Sequence, residues 1–578
     1  MRNAEVASLL NELADVMELL GEDRYRVASY RDAAMRIDHL GEAIEDVARE
    51  GRLDDIHGVG KSIAAKVSEY LSTGRIAALE ERRSRVPAAA LTLMKVPGIG
   101  PRRALLIARE LGVKSIEDLE QALREGKVAQ LPRVGTKVAA HILEELSRIS
   151  SRSQRLPLGV AMSAAQEAVR ELERSSAVLE ITPAGSIRRM CETIGDKDIL
   201  VSSTKPEAAI AAFTTMPLVK EVLASGETRA SVLSHADLQI DLRVVPPESY
   251  GAALQYFTGS KEHNIKLREL AIRRGLKLNE YGVFREETRI AGQTEEDVYA
   301  ALGLPWLPPE IREDTGEVEL ALQGQVPPLV GLADMRGDLH AHTNRTDGSS
   351  TAEQKARAAE TAGYEYLAFT DHSRALGVTG GLTEEEFRKQ HEEIRSLQPR
   401  FPRVRLLCGV EVDIHVDKRL DCSDDFLAAC DVVVASIHSA LEQPAEMQTA
   451  RLIAAMENPN VDIIAHPTGR LLGKRPGYGL DLTALLDAAV RTGTAIEINA
   501  QPERLDLNAD AVRAAVERGV MLVINTDAHH QSQLPLMRFG VATARRGWAP
   551  SDLVLNTRPL GELLRWLARK GQTGRSPA

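Results

Sequence analysis

Apolar residues recur every three or four positions through the first part of the chain, which is the pattern of amphipathic helices. The first such run spans residues 4–20 and stops before Gly21, a residue that commonly ends a helix. Similar runs over residues 25–40 and 44–50 predict two further helices. The N-terminal region is therefore expected to be all-α.

A short pattern of an apolar residue, glycine, any residue and glycine comes directly before predicted helices in this region. The glycines concerned are Gly58, Gly60, Gly98, Gly100 and Gly135. Arg133 replaces the first glycine of the third copy. Glycine lets a ligand approach the backbone, and the free N–H groups at a helix start attract phosphate. One copy would indicate a plain turn, but three copies resemble the helix-hairpin-helix element that grips the DNA backbone.

The distribution of charge supports this interpretation although the net charge of the 578-residue chain is −11. Residues 1–50 carry 6 basic and 12 acidic side chains, whereas residues 51–150 carry 17 basic and 12 acidic ones. Contact with nucleic acid is expected to centre on the second block.

No apolar run approaches the roughly 20 residues of a membrane span, and the N-terminus does not resemble a signal peptide. The four cysteines form no C-x-x-C pair, which fits a reducing cytoplasm.

Three aspartates stand on strand-like runs in the middle of the chain. Asp196 and Asp198 precede the apolar residues 199–201, and Asp241 lies within the run 239–245. Residues i and i+2 of a strand share a face, and two adjacent carboxylates repel each other unless a cation lies between them. Three acids on adjacent strands can hold two Mg²⁺ ions for phosphoryl transfer. A surface Asp-x-Asp is the commoner explanation for the tripeptide alone.

The motifs around the aspartates favour the metal site. Gly185-Ser186-Ile187-Arg188-Arg189 comes before them and could supply charge and hydrogen bonds to a polyphosphate. Tyr256-Phe257-Thr258-Gly259-Ser260 and Leu278-Asn279-Glu280-Tyr281 follow Asp241 in that order. This series resembles the palm and thumb of family X DNA polymerases, the group that contains DNA polymerase beta.

The resemblance implies that Asp196, Asp198 and Asp241 are catalytic and bind two Mg²⁺ ions. It implies nucleotide contacts from Gly185, Ser186, Arg189, Tyr256, Phe257, Gly259 and Asn279. Gln239 stands where vertebrate relatives carry arginine, which leaves open how Asp241 is held.

Lys66 follows the first hairpin, where the lysine of DNA polymerase beta forms a Schiff base and removes 5′-deoxyribose phosphate. A lysine nucleophile needs a lowered pKa from burial or neighbouring cations. Asp32 and Arg26 replace lysines of that family, so a DNA-facing or surface lysine is the alternative interpretation.

Seven apolar runs after residue 330 each end in a histidine or a carboxylate, and nearly all are separated by helix-length segments. Unbroken apolar runs are typical of parallel strands buried on both faces, and in a parallel barrel their carboxyl ends meet at one face. The residues expected to converge there are His340, His342, Asp347, His372, Glu411, His438, His466, Asp527 and His529. Imidazole with carboxylate suits Zn²⁺, Mn²⁺ or Fe²⁺, and nine ligands suffice for two or three ions.

The order of these motifs resembles the PHP (polymerase and histidinol phosphatase) family, which hydrolyses phosphoesters with metal ions. The expected fold is an all-α helix-hairpin-helix region, an α+β nucleotidyltransferase palm and thumb, and a C-terminal α/β PHP barrel of seven parallel strands with helices. The expected domains are a lyase-like helical domain (1–85), a fingers-like domain (86–150), a palm (151–245), a thumb (246–315), a linker (316–333) and a PHP phosphoesterase (334–578).

Together the motifs predict a monomeric, cytoplasmic DNA repair enzyme that binds gapped or primer-template DNA and deoxynucleoside triphosphates. Its palm would fill short gaps, as in base excision repair. Its barrel would act as a 3′–5′ exonuclease, process 3′ ends or cut abasic sites. One alternative is a DNA-tethered PHP phosphoesterase with an inactive palm. Another makes the barrel a small-molecule phosphatase or a purely structural metal domain.

Overall fold

The computed structural model describes residues 2–38, 44–56, 58–94, 96, 99–132, 134–143, 155–375 and 380–573. The chain divides into two compact units, Met1–Gln154 and Arg155–Ala578. The first unit has one hydrophobic core, and the second has separate cores for a palm, a thumb and a barrel.

The first unit consists, in its described part, of helices and two 3₁₀ turns. The helices are α1 (Asn3–Leu19), α2 (Arg24–Asp38), α3 (Ile44–Arg49), α4 (Lys61–Thr73), α5 (Ala77–Arg83), α6 (Ala88–Leu93), α7 (Pro101–Glu110), α8 (Ile116–Arg124) and α9 (residues 135–143). Buried faces of α1, α4 and α7 meet in the core at Leu10, Val67 and Ile107. The predicted all-α region is confirmed, and α1 to α3 begin and end within two residues of the predicted runs.

The elements of the palm are β1 (Leu156–Pro157), α10 (Leu158–Leu172), β2 (Glu180–Pro183), α11 (Gly185–Arg188), β3 (Thr193–Ile194), β4 (Asp198–Ser202), α12 (Pro206–Thr214), β5 (Val219–Ser225), β6 (Arg229–Ser234) and β7 (Gln239–Val245). Five of these strands form one sheet with the order β2-β4-β7-β6-β5. The sequence analysis did not predict the β5–β6 hairpin. Its edge strand β5 is mostly exposed and lacks the buried apolar face that would mark a strand.

The thumb follows as α13 (Tyr250–Thr258), α14 (Lys261–Arg273), β8 (Lys277–Asn279), β9 (Gly282–Arg285), β10 (Thr288–Ala291), α15 (Glu295–Ala301) and α16 (Glu317–Leu322). The segment 316–333, which the sequence predicts to be a linker, contains the helix α16. Val318 and Ala321 of α16 pack into the thumb core. Buried Glu317 holds the start of this helix by accepting hydrogen bonds from the amides of Asp314 and Thr315 at 3.0 and 2.8 Å.

In the described residues of the barrel, seven strands follow one another in sequential order, all parallel, as the sequence predicted. They are β11 (Gly337–Asp338), β12 (Tyr366–Phe369), β13 (Arg405–Asp413), β14 (Val432–Ser436), β15 (Ile463–Ile464), β16 (Ala495–Asn499) and β17 (Leu522–Asn525). A parallel bridge between Ala341 and Ala528 nearly closes the sheet. The surrounding helices are α17 (Ala352–Thr361), α18 (Glu384–Leu397), α19 (Asp424–Leu427), α20 (Ala445–Glu457), α21 (Leu482–Thr492), α22 (Ala509–Glu517), α23 (Met537–Arg546) and α24 (Leu560–Thr573).

The palm and the barrel share a small apolar cluster. Leu158 and Ile187 of the palm pack with Leu505 and Phe539 of the barrel. Gly159 lies so close to Pro502 that a Cβ atom there would come within 2.5 Å of the proline ring.

Among the described residues, no helix combines the length and apolar character that a membrane crossing requires.

Candidate active sites

The palm sheet brings Asp198 and Asp241 side by side. They are register partners on the parallel strands β4 and β7, and the amide of Asp241 donates to the carbonyl of Lys197 at 3.0 Å. Asp196, exposed, stands just before β4. Asp198 and Asp241 line a cavity of about 250 Å³ together with Arg243 and Phe257.

The electrostatics of this cavity favour a cation. Burial and the negative charges of Asp196 and Asp241 together raise the pKa of Asp198 to about 6, against the opposing positive charge of Arg243. Asp241 is held by Ser231 and by the amide of Gln239, which lies 3.1 Å from each carboxylate oxygen. A divalent cation would relieve the repulsion among the three acids, so the residues present fit Mg²⁺.

The glycine-serine motif forms the short helix α11 at the edge of the same cavity. Gly185 begins α11 with φ +61°, and a Cβ atom there would lie 3.0 Å from Oδ2 of Asp198. Arg189 follows α11 and donates to the carbonyl of Thr258 and, at 3.0 Å, to Glu313. Arg188 was expected to face a polyphosphate as well, but it makes two 2.7 Å hydrogen bonds to Glu295 instead.

The predicted nucleotide-contacting residues of the thumb do not all reach the cavity. Phe257 lines it, and the guanidinium of Arg243 lies 5.1 Å from the centre of its ring. Tyr256 packs edge-on against Phe257. A Cβ atom at Gly259 would lie 3.0 Å from Nη1 of Arg189. The side-chain oxygen of Asn279 accepts a hydrogen bond from the amide of Tyr281.

The carboxyl ends of the barrel strands bring all nine predicted histidines and carboxylates together. Three overlapping groups have ligand atoms within 4.8 Å of one another: His342, Asp347, His372 and His529; His340, His342 and Asp527; and His372, Glu411 and His438. Nε2 of His466 lies 3.0 Å from Glu411 and joins the third group. The palm aspartates form no such group among the described residues, so the barrel cluster is the tighter one.

Several buried polar atoms of this cluster have no hydrogen-bond partner among the residues that the structure describes. They are Nδ1 of His342, Nδ1 of His466 and Oε2 of Glu411. Oε2 of Glu411 nevertheless lies 2.9 to 3.4 Å from ring nitrogens of His340, His342 and His372. Unpartnered ligand atoms in a buried site fit the binding of a cation. The set of imidazoles and carboxylates fits transition-metal ions.

Residues that the sequence did not single out as ligands orient the cluster. Oε1 of Glu497 on β16 lies 2.7 Å from Nδ1 of His340, and Oδ1 of Asp413 lies 3.2 Å from Nδ1 of His438. These carboxylates leave Nε2 of each ring free to face the cluster. The signal available in the sequence was their position at the ends of β16 and β13, since Glu411 of β13 and the ends of the other five strands supply the predicted ligands.

Burial and charge shift the pKa values in the barrel strongly. Burial raises the pKa of Glu411, but the positive charges of His372 and His340 outweigh it and hold this pKa well below its usual range.

His466 and Asp527 adopt φ values of +27° and +48°, in the left-handed region that non-glycine residues rarely enter. Such strain accumulates where a backbone must aim a functional side chain.

The glycines of the first unit differ in their surroundings. Cβ atoms at Gly60, Gly100 and Gly135 would meet open space, so the starts of α4 and α7 are accessible to a ligand. Gly58 has a φ of +85°, which favours glycine, and a Cβ atom there would come within 2.4 Å of the Asp32 carboxylate. Gly98 lies outside the described residues.

Lys66 is partly buried on α4. Its amine donates to the carbonyl and hydroxyl of Ser62, both at 3.1 Å, and lies 5.6 Å from the centre of the Tyr30 ring. These contacts hold the lysine near the open start of α4.

Family profiles match four parts of the chain. They are the helix-hairpin-helix domain (residues 1–76), the SAM-like helix-hairpin-helix tandem (90–148), the DNA polymerase beta thumb (253–313) and the PHP domain (338–501). The matched profiles imply DNA binding and dependence on metal ions.

Similar proteins cover both the whole chain and its halves. The DNA polymerase/3′-5′ exonuclease PolX of Bacillus subtilis is 38% identical over 576 residues, 98% of this chain and 100% of that protein. DNA polymerase lambda of Arabidopsis thaliana is 26% identical over 54% of this chain and 62% of its own length. A probable phosphatase of Thermoanaerobacter is 29% identical over 40% of this chain and 94% of its own length. The chain belongs to the family X DNA polymerases that carry a C-terminal PHP domain.

Proposed function

We propose that this protein extends DNA primers across short gaps with its palm and degrades DNA 3′ ends with its barrel. The observation that carries the proposal is the simultaneous presence of both acidic sites in a chain that matches the Bacillus subtilis PolX along nearly its whole length. That relative is named for both activities. The domains that we assign have the boundaries given above, from the lyase-like domain at 1–85 to the PHP domain at 334–578.

In the palm, Asp196, Asp198 and Asp241 would hold two Mg²⁺ ions, which supply Lewis-acid stabilisation to the phosphoryl group in transfer. Asp198 and Asp241 are fixed by the β4–β7 register, and Gln239 and Ser231 orient Asp241. Ser186 and Arg189 would bind the triphosphate beside Gly185. Phe257, next to the cavity, would form the wall against which the deoxyribose packs, and Tyr256 and Asn279 would border it.

In the barrel, the nine clustered side chains would hold two or three Mn²⁺, Zn²⁺ or Fe²⁺ ions, which supply the Lewis-acid chemistry of phosphodiester hydrolysis. Glu497 and Asp413 orient His340 and His438. Asp347 and His529 keep about a third of their side-chain surface exposed, at 28% and 34%. They therefore mark the side from which a DNA end would enter.

DNA would contact the first unit through its phosphates at the open helix starts after Gly60 and Gly100. Gly58, Gly98 and Gly135 are assigned to the same DNA contacts from their sequence motifs. Lys66 lies one turn into α4, near the phosphate path that this assignment implies. It would act there as a lyase nucleophile or as a cation facing the DNA. We further propose that the protein acts as a monomer in the reducing cytoplasm.

A single assay on DNA with a one-nucleotide gap tests both assignments. We expect Asp198→Ala to abolish primer extension and leave 3′-end hydrolysis intact, and His342→Ala to do the reverse. Extension that survives Asp198→Ala would refute the palm assignment.

The alternative with an inactive palm predicts no extension by the unaltered protein. Hydrolysis of a small phosphomonoester such as histidinol phosphate, without hydrolysis of 3′-recessed DNA, would support a small-molecule phosphatase instead. The match to a probable phosphatase is the observation that keeps this second candidate in the test.

A further inference from the structure

The barrel contacts the polymerase half directly at the segment that carries Arg189. Nη1 of Arg546, at the end of α23, donates to the backbone carbonyl of Arg189 at 2.8 Å and to Oε1 of Glu313 at 2.9 Å. Nε of Arg189 donates to the same Glu313 oxygen at 3.0 Å. One carboxylate of the thumb is thus shared by an arginine of the palm and an arginine of the barrel.

The three charges are largely removed from water. The side chains of Arg189, Glu313 and Arg546 are only 14%, 25% and 15% exposed. Charged hydrogen bonds strengthen when water is excluded. Burial raises the pKa of Glu313, but the positive charges of Arg189 and Arg546 outweigh it and lower that pKa, so the carboxylate is ionised.

The charge balance of this group bears on a triphosphate ligand. Two guanidinium groups share one carboxylate, which leaves one positive charge in excess. Without Arg546, Glu313 would neutralise Arg189 alone, and the pair would attract an anionic phosphate less strongly. The hydrogen bond to the Arg189 carbonyl also fixes the backbone from which this side chain projects.

A second barrel arginine holds the far end of the same segment. Arg470 makes two 2.9 Å hydrogen bonds to Glu192 and donates to the carbonyl of Leu505. Residues 189–192, which connect α11 to β3, are therefore hydrogen-bonded to the barrel at both ends.

We propose that Arg546 of the barrel is a positioning residue of the polymerase, which acts through Glu313 to hold and charge-balance Arg189 for the incoming triphosphate. The inference rests on the proposed polymerase function and deepens it. It makes the barrel part of the nucleotide-binding site as well as the carrier of its own metal cluster.

The test measures KM for the complementary deoxynucleoside triphosphate and kcat for extension on one-nucleotide-gapped DNA, with the full chain. We expect Arg546→Gln to raise KM roughly tenfold with a much smaller change in kcat, because charged hydrogen bonds to the binding segment are lost. Hydrolysis of DNA 3′ ends should be unchanged, since Arg546 contacts none of the nine clustered residues. Arg546→Lys should recover part of the affinity because both hydrogen bonds come from a single nitrogen.

Arg545→Gln is the matched control. Arg545 occupies the same helix and the same interface but pairs with Glu310 at 2.8 Å and with the carbonyl of Val330. It should leave KM unchanged. In a Glu313→Gln background, Arg546→Gln should cause a much smaller further rise in KM, because the shared carboxylate is already gone.

Three results would overturn the inference: an unchanged KM in Arg546→Gln, an equal rise in Arg545→Gln, or a parallel loss of extension and hydrolysis. Failure of the polymerase assignment itself gives a different result, namely extension that persists in Asp198→Ala.

Discussion

The side-chain amide of Gln239 donates hydrogen bonds to both carboxylate oxygens of Asp241, each at 3.1 Å. A neutral amide thus orients this acid without neutralising it. The amide adds no positive charge that would compete with a cation, and the strand β7 carries both residues.

Removing this amide should impair primer extension. We expect Gln239→Leu to lower kcat roughly tenfold, because a hydrogen-bonded carboxylate loses its orienting partner. Gln239→Arg should keep the orientation but require more Mg²⁺, since its positive charge competes with the cation. Titration of extension rate against Mg²⁺ concentration separates the two effects, and equal Mg²⁺ requirements would contradict them.

Gly185 should be irreplaceable for a reason beyond its backbone conformation. A Cβ atom at this position would lie 3.0 Å from Oδ2 of Asp198 and displace that carboxylate. We expect Gly185→Ala to reduce extension on the order of 100-fold, the effect of misplacing a catalytic group. Gly275→Ala is the control, because Gly275 has a similar φ of +68° and open space around its Cα. If both variants lose extension equally, backbone strain alone is responsible.

Primer extension at limiting Mg²⁺ should fall as the pH drops below about 6. Burial raises the pKa of Asp198 to about 6, so the protonated form, which cannot bind the cation, accumulates below that pH. Since Mg²⁺ and the proton compete for the same carboxylate, saturating Mg²⁺ should move the midpoint to lower pH. Extension rates measured across pH at both Mg²⁺ levels check this, and a midpoint independent of Mg²⁺ would contradict it.

Loss of the charge on Glu497 should weaken metal binding in the barrel. Glu497→Gln removes the carboxylate that orients His340, and we expect metal affinity to fall about 10- to 100-fold. Metal content by mass spectrometry and 3′-end hydrolysis should both decline while primer extension is unchanged. Glu457→Gln, in a surface ion pair with Arg491, is the control and should alter neither.

Glu295 should be among the most important single residues for the stability of the polymerase half. It accepts hydrogen bonds from Arg188, Trp306 and the fully buried Arg312. Glu295→Ala would leave buried Arg312 without its carboxylate, so we expect the free energy of unfolding to fall by about 3–5 kcal/mol. Chemical denaturation measures it. Glu385→Ala, in an exposed pair with Lys389, should have little effect, and similar losses in both variants would contradict the argument.

The sequence by itself determined which local elements form and which chemical groups they carry. Apolar runs marked the barrel strands because a strand buried on both faces must be apolar throughout. Their terminal histidines and acids could be placed at one face because parallel strands share a direction. The spacing of Asp196 and Asp198 predicted a common face in the same way.

Only the tertiary structure decided which groups pair across the fold. Arg188 and Arg189 are adjacent in sequence, yet one is engaged by Glu295 and the other by Glu313. Arg546 carries no local signal of its role, and the strand-end position of Glu497 did not reveal that it orients His340. The apolar periodicity of a segment reflects the burial of that segment and can be recognised in its own sequence. An ion pair between distant residues forms only when tertiary packing brings both partners together away from water.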